Sequence, residues 1–294
     1  MLRRCLLMLF LLAASNRADA QTADHYALLM VWMPGLCTLE PDRPECKDLS
    51  LKRYDGQNLA FMALEVAHES GVSDTFCFTM PSDFEMDHDR DWCDMVKPNV
   101  GPELASQLKQ LMPVARSCQD RGLWARYASC TMYSADDYYS RGFRLAKGVA
   151  DTQVNLKIGG AIGQSISQQA LVAAFETQFG DGTGNAIDFI CRKSNGKSHL
   201  LNVKVTLTVK ALTRGLGADY LWKPPRPLRR GCPENIFVDA PPGAQVGVPS
   251  ASATPAPPPN PTAPDAPESV PVAPVETAPL APPERPKTIP IPAR

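Results

Sequence analysis

Eight cysteines limit what this chain of 294 residues can fold into. A ninth, Cys5, lies in residues 1–20, where two arginines, an apolar run of ten residues and a small-residue cleavage pattern before Gln21 indicate a secretory signal peptide. An apolar run of this length is too short to span a membrane. We therefore expect an exported protein, periplasmic or secreted, in which an even number of cysteines forms four disulfides. These cysteines are Cys37, Cys46, Cys77, Cys93, Cys118, Cys130, Cys191 and Cys232.

The C-terminal part of the chain has a composition that a packed domain does not use. Residues 241–294 hold 18 of the 29 prolines and no aromatic residue, which predicts a disordered tail. Such a tail can act as a spacer or contact an unknown protein partner. Residues 21–240 have the size of one domain with a hydrophobic core. After residues 1–20 are removed, 27 Lys and Arg face 30 Asp and Glu, which argues against nucleic-acid binding by charge alone.

The cysteines and histidines do not have the spacing of a metal site. None of the cysteines forms the CxxC pair of a zinc site, and the four histidines are scattered along the chain. We therefore predict no metal and no other cofactor. The histidines are His25, His68, His88 and His199.

Apolar patterns predict the strands. The continuous apolar run at 26–33 suits a strand that is buried on both faces. Over 199–210, leucine and valine alternate with polar residues, which is typical of a strand with one buried and one solvated face. Shorter strands are predicted at 186–191 and 235–239.

Helical patterns lie largely before these later strands. Helices are predicted over 102–112, over about 134–149 with a capping box of Ser134 and Asp137, and over 167–180 with the terminal glycine in the left-handed cap conformation. This order favours an α+β fold with a central antiparallel sheet packed by helices.

Six segments carry a resemblance to a known family: YALLMVWMPGLC (26–37), LMPVARSC (111–118), ADDYYSRGFRL (135–145), ISQQALVAAF (166–175), FICRKSNGKSHLLNVKVTL (189–207) and GCPENIFVD (231–239). In their order and in the order of the cysteines, the sequence resembles the ribonuclease T2 family of secreted acid endoribonucleases, and most closely its bacterial periplasmic members. The resemblance covers nearly the whole predicted domain and implies the family's α+β fold. It also implies disulfides Cys37–Cys46, Cys77–Cys130 and Cys191–Cys232, which leaves Cys93 to pair with Cys118.

Both catalytic motifs of that family are altered in this sequence. Family members cleave RNA with HGLWP and HEWxKHGxC, in which two histidines transfer protons while a glutamate and a lysine assist. The first motif aligns with MALEV at 62–66, and the second aligns with GLWARYASC at 122–130. The four positions that carry the family's chemistry are occupied by Met62, Leu123, Arg126 and Tyr127.

These replacements remove proton-transfer groups but keep groups that can bind RNA. Met62 carries no exchangeable proton, and Tyr127, with an ordinary pKa of about 10, is a poor base at neutral pH. Arg126 can still form a forked contact with a phosphate. We predict that Arg126, with Trp32 and Trp124 as stacking platforms, binds RNA or nucleotides.

The sequence therefore predicts an exported ribonuclease T2-like protein that is catalytically degenerate and retains RNA or nucleotide binding. One alternative is an active endoribonuclease that yields a 2′,3′-cyclic phosphate with relocated residues, for which His68, followed by Glu69, is the candidate. Another alternative is a periplasmic interaction module. The acidic run at 83–92, which contains His88, is interpreted as a solvated loop.

Overall fold

The computed structural model of the protein describes residues 25–69, 72–224 and 231–244. The predicted signal peptide lies outside these residues, as does the predicted tail from residue 245 onwards. No helix in the described ranges has the length and apolar character needed to cross a membrane.

The core of the fold is one sheet, which has six strands in the described ranges. Its order is β2-β1-β5-β6-β3, and β4 pairs with the other edge of β5. The α+β class is confirmed, but the sheet is mixed, because β5 and β6 pair in parallel at His199 and Phe237. A parallel pair needs a long crossover connection, and the chain between Leu207 and Asn235 is long enough for one. The strands are β1 His25–Val31, β2 Ala60–Ala67, β3 Ser165–Ser167, β4 Ile187–Ser194, β5 Lys197–Leu207 and β6 Asn235–Phe237.

Two strands end earlier than their apolar patterns predict. β1 stops at Val31 because a helix begins at Met33, and Pro34 in its first turn lacks the N–H group that a strand ladder needs. β5 stops at Leu207, and Val209 lies in a turn where it is 48% exposed.

Eight α-helices pack around the sheet in the described ranges, and the three predicted helices are among them. Ser134 caps its helix by accepting the Asp137 N–H at 3.2 Å, but the Asp137 carboxylate contacts the Ser134 hydroxyl rather than its backbone, so only half of the predicted capping box forms. The predicted left-handed cap at Gly180 is wrong, because its φ of 96° is combined with a ψ of 160°. The helices are α1 Met33–Leu39, α2 Pro81–Asp89, α3 Pro102–Leu111, α4 Gln119–Arg126, α5 Ala135–Ala150, α6 Gln153–Gly160, α7 Gln168–Phe179 and α8 Ala211–Arg214.

Helix α5 fixes the position of β2, which carries one of the aligned motifs. The buried Tyr138 hydroxyl lies 2.9 Å from the Leu64 nitrogen and 3.2 Å from its carbonyl oxygen. Gly142 allows the ring of Phe61 to pack directly on the helix backbone, because a Cβ atom there would lie 2.5 Å from that ring. β2 is therefore held between β1 and α5.

All four predicted disulfides are confirmed: Cys37–Cys46, Cys77–Cys130, Cys93–Cys118 and Cys191–Cys232. Two of them tether the chain on either side of α2 to the two ends of α4, since Cys118 precedes that helix and Cys130 follows it. Four disulfides are typical of a protein that lies outside the cytoplasm.

Candidate functional site

Met62 and Arg126, which come from the two aligned motifs, lie in one cleft. The cleft has a volume of about 290 Å³; β2 contributes Met62 to its lining, and α4 contributes Arg126. The motifs are therefore brought together although 64 residues separate the two side chains. The other lining residues are Leu36, Glu40, Arg43, Asp87, His88, Arg90, Trp92 and Gln119.

Met62 offers no proton-transfer chemistry at the position of the first motif histidine. Its thioether sulfur accepts a hydrogen bond from the Asn202 side-chain amide at 3.1 Å, and the same amide nitrogen lies 3.1 Å from the Met30 carbonyl oxygen. The sulfur is a weak acceptor and carries no hydrogen to donate. This position can contribute packing but neither a general acid nor a general base.

Arg126 is held by a buried carboxylate of the protein itself. Its Nε donates to Asp87 Oδ2 at 2.8 Å, and its Nη2 contacts the same oxygen. The other carboxylate oxygen of Asp87 accepts from the Trp92 indole at 2.8 Å. Burial acts to lower the pKa of Arg126, but the neighbouring Asp87 outweighs it and holds that pKa above its ordinary value. The guanidinium is thus permanently charged and already engaged with an anion.

Gly122 is the first residue of the second aligned motif, where the family has histidine. Residues 81–94, which we call the covering segment, pack against it through Asp87 and Trp92. A Cβ atom at Gly122 would lie 2.6 Å from Trp92 Cδ1 and closer still to the Asp87 carboxylate. The covering segment therefore occupies the space that the family's side chain would need.

Two further arginines pack against the Trp92 ring in the cleft. The guanidinium carbons of Arg43 and Arg90 lie 5.4 and 6.0 Å from the ring centroid, within the range of a cation–π contact. Both arginines also pair with Glu40, at 3.1 and 3.2 Å. Burial acts to raise the pKa of Glu40, but the two arginines lower it below its ordinary value, so this carboxylate stays ionised.

Leu123 and Tyr127 complete the aligned positions without restoring proton-transfer chemistry. Leu123 is buried in the core, where the family places a glutamate. Burial, assisted by Glu65, raises the pKa of Tyr127 above its ordinary value, and Arg126 only partly opposes this. Tyr127 therefore keeps its proton near neutral pH, so it can donate a hydrogen bond but cannot act as a base.

The two predicted stacking tryptophans do not lie in the cleft. Trp32 is fully buried, and its indole donates to the Asp239 carbonyl at 3.2 Å, so no ring face is open to a base and its predicted stacking role is wrong for this structure. Trp124 packs against Tyr138 and Tyr139 and lines a different groove. The sequence prediction missed Trp92, because its neighbours are five acidic residues of a run that resembles a solvated loop.

His88, and not the candidate His68, lines the cleft. His68 lies 2.9 Å from the Asp74 carboxylate and is not among the residues that line the cleft. His88 does line it, together with Met62 and Arg126. The interpretation of 83–92 as a solvated loop is corrected, since most of this run forms α2, and Asp87 and Trp92 are buried. In the described ranges, no three His, Cys, Asp or Glu side chains are grouped so that they could hold a metal ion.

The element order, the mixed sheet and the four disulfides give an α+β ribonuclease T2-like fold. The sequence is 21% identical over 234 residues to ribonuclease I of Escherichia coli strain K12, and the match covers 74% of this chain and 86% of that protein. The protein is thus a distant homologue of ribonuclease I. No protein-family model matches the sequence.

Solved structures show the same fold. The self-incompatibility-associated SF11-RNase of Nicotiana alata superposes with a TM-score of 0.51 at 15% identity, covering 74% of this chain and all of that chain. A single-substitution variant of ribonuclease MC1 from bitter gourd, solved with 5′-UMP, gives 0.50 at 18% identity, covering 73% and 97%.

Proposed function

We propose that this protein is a catalytically degenerate ribonuclease T2-like protein, located in the periplasm or secreted, that binds RNA or nucleotides weakly through the cleft around Arg126. The observation that carries this proposal is the pairing of Arg126 with Asp87 beside Met62, because it leaves a phosphate-binding group but no acid–base pair at the aligned positions. The relative solved with 5′-UMP supports a nucleotide as the ligand class.

Weak binding follows from the charges in the cleft. Arg43 and Arg90 pair with Glu40, and Arg126 pairs with Asp87. A phosphate must compete with these carboxylates for each guanidinium. Because phosphate contacts release counterions, the affinity for RNA should fall as salt is added.

Substitution of Arg126 or Asp87 should change nucleotide affinity in opposite directions. Arg126→Gln removes the charge but leaves an amide that can still donate to Asp87, and we expect binding of a single-stranded RNA oligonucleotide to weaken about tenfold. Asp87→Asn removes the competing anion but keeps an acceptor for Trp92, and binding should tighten about tenfold. Fluorescence anisotropy at low salt measures both effects.

Arg214→Gln serves as the matched control, because Arg214 is an exposed arginine at the end of α8 and does not line the cleft. Its affinity should equal that of the wild-type protein. If Arg126→Gln binds RNA as tightly as Arg214→Gln does, the cleft is not the binding site.

A second candidate function is an active endoribonuclease that uses a relocated histidine and yields a 2′,3′-cyclic phosphate. The specific support is the position of His88, which lines the same cleft as Met62 and Arg126. An imidazole can exchange protons near neutral pH. RNA cleavage needs both a base and an acid, however, and His88 would have to serve both steps. We therefore rank this activity below nucleotide binding.

A further inference from the structure

Three arginines share one carboxylate beside the cleft. Glu40 Oε2 accepts from the guanidinium groups of Arg43 and Arg90, at 3.1 and 3.2 Å. Its other oxygen, Oε1, lies 3.5 Å from Nη1 of Arg192, a residue of β4. Glu40, Arg43 and Arg90 line the cleft together with Arg126. The arginine cluster, by which we mean Arg43, Arg90 and Arg192, therefore borders the site that we propose for a nucleotide.

The arginine cluster carries more positive charge than its carboxylates balance. Arg43 is matched by the buried carboxylate of Glu45, whose Oε1 lies 2.6 Å from Arg43 Nε. In the described ranges, Glu40 is then the one carboxylate that pairs with Arg90 and Arg192. Two guanidinium groups thus share a single negative charge. The remaining positive charge equals what one phosphodiester group would neutralise.

The surroundings of the arginine cluster do not cancel this charge. Three exposed carboxylates flank Arg43 and Arg90 in the sequence, but none of them lines the cleft or forms an ion pair with the cluster within the described ranges. They are Asp42, Asp89 and Asp91. The hairpin of β4 and β5, which carries Arg192, has no carboxylate over 189–200 and adds Lys193 and Lys197. An anionic ligand that extends out of the cleft meets a positive surface there.

A chain of contacts connects the arginine cluster to Arg126. Asp87 accepts from Arg126 and from the Trp92 indole, and the guanidinium of Arg90 packs on the Trp92 ring. Arg90 has a φ of 67° where α2 ends, a position that glycine or asparagine occupies at less cost. An arginine kept in such a conformation points to a role for its side chain.

The cleft is too small to enclose a nucleotide fully. Its volume of about 290 Å³ lies at the lower limit of small-molecule pockets, which is roughly 300 Å³. A longer strand gains affinity from groups beside the cleft, which a mononucleotide does not reach. The side chains of Arg90 and Arg192 are 59% and 53% exposed, so their outer N–H groups can donate to a phosphate.

We propose that Arg90 and Arg192 form a phosphate subsite, and that the ligand of this protein is a single-stranded polynucleotide rather than a mononucleotide. One phosphate would contact Arg126 in the cleft. Another phosphate of the same strand would contact Arg90 and Arg192, where it completes the charge balance around Glu40. This inference rests on the nucleotide binding proposed above and specifies the class of its ligand.

Isothermal titration calorimetry of the purified protein with 5′-UMP and with a uridine pentanucleotide tests the subsite. In about 0.1 M salt, we expect the pentanucleotide to bind at least about tenfold more tightly than 5′-UMP. Arg192→Gln should weaken binding of the pentanucleotide about tenfold and leave the affinity for 5′-UMP unchanged. Because one phosphate contact is lost, the slope of log affinity against log salt should become shallower by about 0.7.

Lys193→Gln is the matched control, because it removes the same charge from the next position of β4, where the side chain lies on the other face of the strand. It should weaken binding of the pentanucleotide by less than about twofold. The subsite is overturned if Arg192→Gln binds the pentanucleotide as tightly as Lys193→Gln does, or if the wild-type protein binds both ligands equally.

Two further results separate this inference from its alternatives. If Arg126→Gln leaves the affinity for 5′-UMP unchanged while Arg192→Gln still weakens binding of the pentanucleotide, the cleft proposal fails and the subsite stands; if neither ligand binds, both fail. Tripolyphosphate supplies phosphates without ribose or bases and should bind more weakly than the pentanucleotide. Equal or tighter binding of tripolyphosphate would overturn the assignment of the subsite to a polynucleotide.

Discussion

A histidine at Gly122, as in the family's second motif, is expected to destabilise the protein strongly. A Cβ atom there would lie 2.6 Å from Trp92 Cδ1, whereas non-bonded contacts of Cβ atoms are essentially never shorter than 3.0 Å. Trp92 is buried and the next residue is held by the Cys93–Cys118 disulfide, so the covering segment has little freedom to move aside. We expect Gly122→His to lower the free energy of unfolding by about 3 kcal/mol, measured by urea denaturation.

Gly160→His is the control for this substitution. Gly160 ends α6, and no heavy atom lies within 4 Å of the Cβ position there. Its free energy of unfolding should change by no more than about 0.5 kcal/mol. If Gly122→His is as stable as Gly160→His, the covering segment does not fill the family's histidine position.

Removal of the Asp87 carboxylate is expected to have a similarly large effect. Asp87→Ala leaves the Trp92 indole and the Arg126 guanidinium without their shared acceptor. Loss of one partner of a buried, hydrogen-bonded ion pair is costly because the other charge remains uncompensated. Arg126 is partly exposed and regains some hydration, so we expect a loss of about 3 kcal/mol in the free energy of unfolding.

Asp89→Ala provides the comparison on the same helix. Asp89 is exposed at the end of α2, and its removal should change the free energy of unfolding by no more than about 0.5 kcal/mol. Asp87→Asn should lie between the two, since it keeps the acceptor for Trp92. Equal stability of the Asp87→Ala and Asp89→Ala proteins would show that Asp87 does not hold the cleft together.

The parts of the fold that local patterns determine could be predicted from the sequence. The alternation of apolar and polar residues that predicts β5 reflects burial of one face of the strand. Ser134 and Ser167 cap their helices through hydrogen bonds to residues only three positions further along the chain. The exact ends of strands could not be predicted, because they depend on contacts with residues that are distant in the sequence. The burial of single positions depends on such contacts too. Thr206 is predicted on the solvated face but is buried, where its hydroxyl donates to the Trp222 carbonyl at 2.7 Å and lies 3.2 Å from the Ala186 carbonyl oxygen.

The cleft shows a different limit of prediction. The two aligned motifs supply Met62 and Arg126, and the structure places both residues in one cleft. The sequence pattern of the covering segment predicts a solvated loop, because a run of acidic residues with one histidine is usually solvated. Only the tertiary structure shows that Asp87 is buried against Arg126, a contact across 39 residues of sequence.

RNA digestion by the purified protein tests the central claim most directly. Single-stranded RNA is incubated with the protein at acidic and at neutral pH, and ribonuclease I of Escherichia coli serves as the positive control. With Met62 and Tyr127 at the positions of the two proton-transferring histidines, we expect no cleavage above that of a protein-free sample, since each missing acid or base is worth about a hundred- to ten-thousand-fold in rate. Cleavage at a rate comparable to that of the positive control, abolished by His88→Ala or His68→Ala, would contradict the account.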